Sequence, residues 1–209
     1  MKKLTVFIPV YNQEELVIRA LNSIPIRKDI EILIIDDCST DNTLENCKTW
    51  KHTHKDMEVN IMHLPKNIGL GNVKNIAYRN FKGEYIHELD SDDYLYTEEY
   101  NKIIDLLDGT DMVYCDLVVN NGDVFQLTKD TQSTYCSGIA RFIKKEFLGD
   151  TKAPSYRTTE DWYVNQELQA KPHSDKFTGI KAYHYNFPRE NSLYDLFKKG
   201  ELKVEEVEL

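Results

Sequence analysis

Three carboxylates crowd the stretch Asp90-Ser91-Asp92-Asp93, directly after the strand-like run Ile86-His87-Glu88-Leu89. Aspartates are poor strand formers and repel one another, so a strand ending in such a cluster needs a counter-charge. A divalent cation with oxygen ligands supplies one. The other reading of these residues is a solvated acidic turn that caps the next helix. Two more apolar runs end in ligand-type residues: 4–10 is followed by Tyr11-Asn12, and 30–35 by Asp36-Asp37. In an open α/β sheet ligands bind at the carboxyl ends of the strands, so all three groups are expected on one edge. Carboxylates gathered there would repel unless some met hydrogen-bond donors and others a cation. A nucleoside diphosphate with Mn2+ or Mg2+ meets both demands. After the first strand stands Pro9-Val10-Tyr11-Asn12, with no Gly-x-Gly-x-x-Gly and no phosphate-binding Gly-rich loop, so phosphates are expected on the metal and on side chains.

The elements that must position these groups alternate. Residues 4–10, 30–35, 58–64, 84–89 and 112–119 read as strands, with Pro9 at a strand's C-terminal end because it has no N–H to donate. Between them lie helices: one capped by Asn12 with Val17, Ala20, Leu21 and Ile24 on its inner face, and one capped by Asp41 and running to about Thr53. A third helix carries Val73, Ile76 and Ala77 and stops at Gly83, and a fourth is capped by Thr97 with Glu98 and Glu99 in its first turn. This alternation predicts βαβ units and a mainly parallel sheet with helices on both faces. Asn121-Gly122 predicts a hairpin into 124–127. Beyond residue 119 the pattern mixes, with helices expected near 139–147 and 161–170 and a charged, peripheral tail at 198–209.

The chain has 209 residues, 41% hydrophobic and 29% charged, as expected of one soluble globular domain. No apolar run approaches the roughly 18 residues that span a bilayer, and no signal peptide follows Met1, which predicts a cytoplasmic protein with no integral membrane segment. A peripheral contact with the membrane through the acceptor is compatible with this. The net charge of −9 argues against a duplex nucleic-acid groove. Cys38, Cys47, Cys115 and Cys136 have neither zinc-ligand nor CxxC spacing and read as free thiols.

Five blocks in order resemble the inverting family 2 glycosyltransferases with the GT-A fold. They are Phe7-Ile8-Pro9-Val10-Tyr11-Asn12, then Ile35-Asp36-Asp37-Cys38-Ser39-Thr40-Asp41-Asn42-Thr43, then Asn67-Ile68-Gly69-Leu70 with Lys74-Asn75, then Gly83-Glu84-Tyr85-Ile86 through Asp93, and Thr159-Glu160-Asp161-Trp162. The resemblance covers about residues 3–165 and implies a Rossmann-like sheet, with a nucleotide-sugar half at 1–118 and an acceptor half at 119–197. It implies a nucleotide pocket from Pro9, Tyr11, Asn12 and Asp37, with Asp36 orienting its loop and Lys74 near the nucleotide. Asp90 and Asp92 would be the D-x-D pair, with Asp92 on Mn2+ or Mg2+, Asp90 on the ribose or the metal, and Ser91 beside them at the nucleotide-sugar. The segment 183–192 resembles the family's closing segment, with His184 a candidate third metal ligand and Arg189 a candidate diphosphate contact. Asp161 would be the general base, taking the proton of an acceptor hydroxyl as it attacks a nucleotide-diphospho-sugar, with UDP the favoured carrier. Taken by itself, Glu160-Asp161 also reads as an acidic helix start.

Two departures stand out: Cys38 occupies a usual Gly or Asn position, and Gly71-Asn72-Val73 stands where the family often has small residues after the glycine of the third block. Two rival functions fit parts of the pattern. A phosphohydrolase could use Asp90 and Asp92 as nucleophile and acid, although its motif belongs on a first strand. A non-catalytic nucleotide-sugar module would lack a base, where Asp161 stands. The sugar and the acceptor are not written in these residues.

Overall fold

The computed structural model describes residues 2–131, 138–155, 160–189 and 199. Cys136, Thr159, residues 190–192 and, apart from Lys199, the charged tail lie outside them.

The first half follows the alternating pattern: β1 (Lys2–Val10), α1 (Val17–Asn22), β2 (Ile30–Asp36), α2 (Thr43–Thr53), β3 (Glu58–His63), α3 (Leu70–Asn80) and β4 (Gly83–Glu88). β5 (Tyr94–Leu95), α4 (Thr97–Leu106), β6 (Met112–Val119) and β7 (Val124–Phe125) follow. After a 3-10 turn at Gly138–Ala140 come β8 (Arg141–Lys144), α5 (Lys145–Leu148), α6 (Glu160–Gln169) and β9 (Asp175–Tyr185). One nine-stranded sheet runs β3-β2-β1-β4-β8-β6-β9-β5, with β7 on β6.

β1 is central, pairing parallel to β2 (Phe7 with Leu33) and to β4 (Phe7 with Glu88). Pro9 lies beyond the last pair with β4, where its missing N–H breaks no bond on that side. Every residue of β2 is buried, as a strand covered on both faces requires. Leu4, Val6, Ile8, Ile32 and Ile34 are 0% exposed, each contributing roughly 1.5–3 kcal/mol of apolar burial.

From β4 outward the sheet turns mixed, with β8 antiparallel to both β4 and β6. The helix expected over 139–147 is therefore mostly absent: 141–144 is a strand. Ile139, Ile143 and Phe147 have helical spacing, but Phe142 stacks on His87 of β4 (4.0 Å between ring centres), and the gap between β4 and β6 needs a strand. Tertiary pairing overrode local propensity there. Two helix starts also differ. Asn12 is not a cap, because α1 begins at Val17. The Thr97 hydroxyl donates to the Ser23 carbonyl, tying α4 to the end of α1. Asp41 does serve the start of α2, accepting from the Thr43 N–H at 3.0 Å. The hairpin at Asn121-Gly122 joins β6 to β7, with the Val119 N–H donating to the Asp123 carbonyl.

Candidate active site

The adjacency β2-β1-β4 brings three strand ends together. The Asp37 N–H donates to the Val10 carbonyl (2.9 Å), and the Leu89 N–H to the Phe7 carbonyl (2.8 Å). Tyr11 leaves β1 with 47% of its surface exposed, a ring available for stacking. Asn12 turns into the left-handed region (φ 51°), where its side-chain oxygen accepts from the Thr40 N–H at 2.8 Å. This clips the β1 end to the loop after β2. Asp36 is fully buried and accepts from the Ser39 N–H (3.3 Å) and from His63 Nδ1 (2.6 Å). Asp37 accepts from the N–H groups of Ile68 (2.8 Å) and Gly69 (2.9 Å), so it fastens the 67–69 loop. Burial raises the Asp37 carboxyl above its ordinary value, and these two N–H groups pull it back. Cys38 sits at φ 65°, the conformation that Gly or Asn adopts most easily.

Beyond β4, ligand oxygens of Asp90, Asp92 and Asp93 lie within 4.8 Å of one another. The Asp93 N–H closes the turn onto the Asp90 carbonyl at 3.0 Å. Tyr183 of β9 braces this turn, donating its hydroxyl to Asp93 Oδ2 (2.7 Å) and accepting from the Asp90 N–H (3.0 Å). The Asn186 N–H donates to Asp93 Oδ1 at 2.7 Å. Arg189 pairs with Asp92 Oδ2 at 2.8 Å, and Arg19 donates to the Asp92 carbonyl. Ser91 is buried in the same turn. Burial, then the neighbouring carboxylates, push Asp90 well above the ordinary carboxyl range, and burial with Asp92 pushes Asp93 up to about 7. Three crowded hard-oxygen donors short of positive charge fit a divalent cation such as Mn2+ or Mg2+.

His184 is not part of that group among the described residues; Asp93 is the third carboxylate. The imidazole stacks on Tyr94 (4.2 Å), with Nδ1 at 3.1 Å from the Tyr96 hydroxyl and Nε2 at 3.1 Å from Asn120 Oδ1. Both ring nitrogens are thus engaged away from the aspartates.

A second acidic centre lies beside the first. Lys74 of α3, expected at the nucleotide, is 0% exposed, and its ammonium meets Glu88 (3.1 Å), Glu160 (3.1 Å) and Asp161. Burial lowers the lysine pKa, but attraction to Asp161, Glu88 and Glu160 outweighs it and lifts the pKa well above normal. Burial likewise works against the Asp161 charge, yet Lys74 and then Arg141 hold that carboxyl below its ordinary range. Of the three carboxylates, Asp161 has the most exposed side chain (26%, against 8% for Glu88 and 5% for Glu160). An ionised, partly exposed carboxylate can take a proton from a bound hydroxyl.

Sequence reasoning passed over Glu88, Tyr183, Arg19 and Arg141. Two of these carried a signal, since a charge inside an apolar run, strand-like at Glu88 and expected to be helical at Arg141, demands a buried partner. Nothing local marked Tyr183 or Arg19, which reach the cluster across the fold.

The structure resembles solved GT-A glycosyltransferases, which defines its fold class. TarS residues 1–349 of S. aureus, solved with UDP-GlcNAc, superposes with a TM-score of 0.78 at 22% identity, covering 91% of this chain and 60% of that one. The mannosyltransferase PcManGT of Pyrobaculum calidifontis, solved with GDP-Man and Mn2+, gives 0.72 at 19% identity over 90% of this chain and 58% of that one. The sequence model of glycosyl transferase family 2 matches residues 5–166, and the chain belongs to that family. Its curated relatives include the poly(ribitol-phosphate) beta-N-acetylglucosaminyltransferase TarS of Staphylococcus aureus strain MW2, 30% identical over 88% of this chain and 33% of TarS. Another is the glycosyltransferase GlyA of Streptococcus pneumoniae, 36% identical over 91% of this chain and 31% of GlyA. The chain thus spans about a third of the length of these relatives. Membership of this family sets the phosphohydrolase reading aside. No helix among the described residues is long and apolar enough to cross a membrane.

Proposed function

We propose that the chain is a metal-dependent, inverting glycosyltransferase domain that moves a sugar from a UDP-sugar to an acceptor hydroxyl in glycan or glycoconjugate biosynthesis. The observation that carries this reading is the pair of acidic centres. One is an aspartate triad short of positive charge; the other is a separate carboxylate, Asp161, held ionised by Lys74. They adjoin through Glu88, which touches the same ammonium as Asp161 and lies two residues before Asp90.

In this reading Tyr11 stacks on the base, and Pro9, Asn12 and Asp36 shape its pocket. Asp37 accepts from the base with the lone pairs its loop contacts leave over. Asp90 and Ser91 face the ribose and sugar, while Asp92, with Asp90 and Asp93, holds Mn2+ or Mg2+. When bound, the cation offsets charge developing on the leaving diphosphate. Arg189, now on Asp92, meets the diphosphate. Asp161 takes the acceptor proton as the acceptor oxygen bonds to the anomeric carbon, and the bond to the diphosphate breaks with its electron pair leaving on UDP. One displacement by one base inverts the anomeric centre. UDP is favoured over GDP because UDP-GlcNAc is what the TarS neighbour was solved with.

Thermal shift tests the donor half. A ligand at about 100 times its Kd adds roughly 2.7 kcal/mol, several degrees for a chain of this size. UDP-GlcNAc should raise the melting temperature only with Mn2+, and Asp92→Asn should abolish the metal effect. Equal shifts with and without Mn2+ would refute the site. Absence of UDP release from UDP-GlcNAc, despite such binding, would favour a binding module.

A further inference from the structure

We infer that Lys74 is the positioning residue of the proposed base, holding Asp161 in place from beneath rather than contacting the nucleotide. The inference rests on Asp161 being that base. α3 presents Gly71, Lys74, Asn75 and Tyr78 on one face, at spacings of three, four and seven residues. That face is built to grip the chain leading to α6. A Cβ on Gly71 would lie 1.9 Å from the Pro154 carbonyl oxygen, so the backbones touch. Asn75 holds Ala153 from both sides, donating to its carbonyl (2.8 Å) and accepting from its N–H (2.9 Å).

Between these two grips stands Lys74. An ammonium has three N–H donors and three carboxylates surround this one: Glu88 from β4, and Glu160 and Asp161 from the first turn of α6. The lysine therefore ties α6 to both α3 and β4. With 0% exposure its head has no path to a nucleotide at the rim. The opposite side of the centre is equally close: a Cβ on Gly138 would lie 2.5 Å from Glu88 Oε2 and 3.0 Å from Asp161 Oδ1. Arg141, Tyr78, Tyr185 and Asp90 also act on Asp161 or Lys74 there. Glu160 and Glu88 anchor the ammonium, and Asp161 is the carboxylate left partly open to an acceptor.

The test compares the native chain with Lys74→Met/Glu160→Gln, which removes one charge of each sign so that the fold is less burdened than by Lys74→Met alone. Three readouts apply: UDP release from UDP-GlcNAc with Mn2+, calorimetric binding of UDP with Mn2+, and the titration of the Asp161 carboxyl by carbon NMR. We expect kcat to fall about 100-fold, the low end of a general base's contribution, with UDP affinity within about threefold. The acid limb of the pH–rate profile and the Asp161 titration should both move up by about one pH unit or more, the scale of a lost adjacent cation. Loss of UDP affinity with kcat intact would put Lys74 on the donor and overturn the inference. An unmoved Asp161 titration would overturn it as well. If the native chain released no UDP, the transferase reading would fail, and the NMR titration alone would decide whether Lys74 governs Asp161.

Discussion

At the residue scale, the proposed base Asp161 and the strained Cys38 can each be probed by one substitution. Asp161→Asn keeps the shape of the side chain and removes its ability to take a proton. UDP binding should persist, while transfer falls by about 10²- to 10⁴-fold; rates and binding measured on one preparation check this, and undiminished transfer would mean the base is elsewhere. Cys38 is held at φ 65°, where a Cβ costs about 1–2 kcal/mol. Cys38→Gly relieves that cost but adds freedom to the unfolded chain, so a net gain of about 0.5 kcal/mol is expected in urea denaturation. Cys38→Val, branched at the strained position, should instead lose stability. A loss on substitution by Gly would show that the thiol packing outweighs the backbone.

At the element scale, α3 and β9 do what single residues cannot. β9 supplies Tyr183 to the aspartate turn and Asn186 follows directly after it, so the aspartate cluster depends on a segment about ninety residues away in sequence. α3 grips the entry to α6 at Gly71. An alanine inside a helix ordinarily stabilises relative to glycine by up to about 1 kcal/mol. Here the new methyl would overlap the Pro154 carbonyl, and Gly71→Ala should cost about 2 kcal/mol, the middle of the range for overpacking. Chemical denaturation reads the sign directly, and a stabilised variant would show that this contact is looser than the geometry indicates. The same geometry explains why a glycine serves at position 71.

At the scale of the whole molecule, a net charge of −9 would repel the anionic donor proposed above, so local cations matter. Arg189 pairs with the Asp92 carboxylate and Arg19 reaches its backbone carbonyl, so these are cations placed near the donor end of the proposed site, although they are too few to balance three aspartates. The core also sets a pH limit. His87 is 1% exposed, with Nδ1 on the Tyr100 hydroxyl (2.8 Å) and Nε2 on the Ile139 carbonyl (2.9 Å). Burial lowers its pKa from 6.5 to about 4. Between those values the unfolded chain binds a proton that the folded chain excludes. Stability from this residue is therefore complete above about pH 6.5 and falls by up to about 3 kcal/mol as the pH drops toward 4. His87→Gln, which cannot titrate, should flatten that part of the stability profile; an unchanged slope would assign the acid loss to other groups.

The residues determined much without help. Apolar runs ending in Tyr11-Asn12, Asp36-Asp37 and Asp90-Asp92 specified parallel strands whose ligand-type ends share an edge, because strand order and loop placement follow from hydrophobic pattern and turn chemistry. The left-handed Cys38 was visible as a departure at a Gly or Asn position. Beyond residue 119 local pattern lost its authority: Arg141–Lys144 became a strand because the gap between β4 and β6 required one. Only the tertiary structure drew Lys74 under Asp161, placed Asp93 rather than His184 beside Asp90 and Asp92, and brought Tyr183 to brace them. These are contacts between segments far apart in sequence, set by packing and charge balance, and no local pattern encodes them.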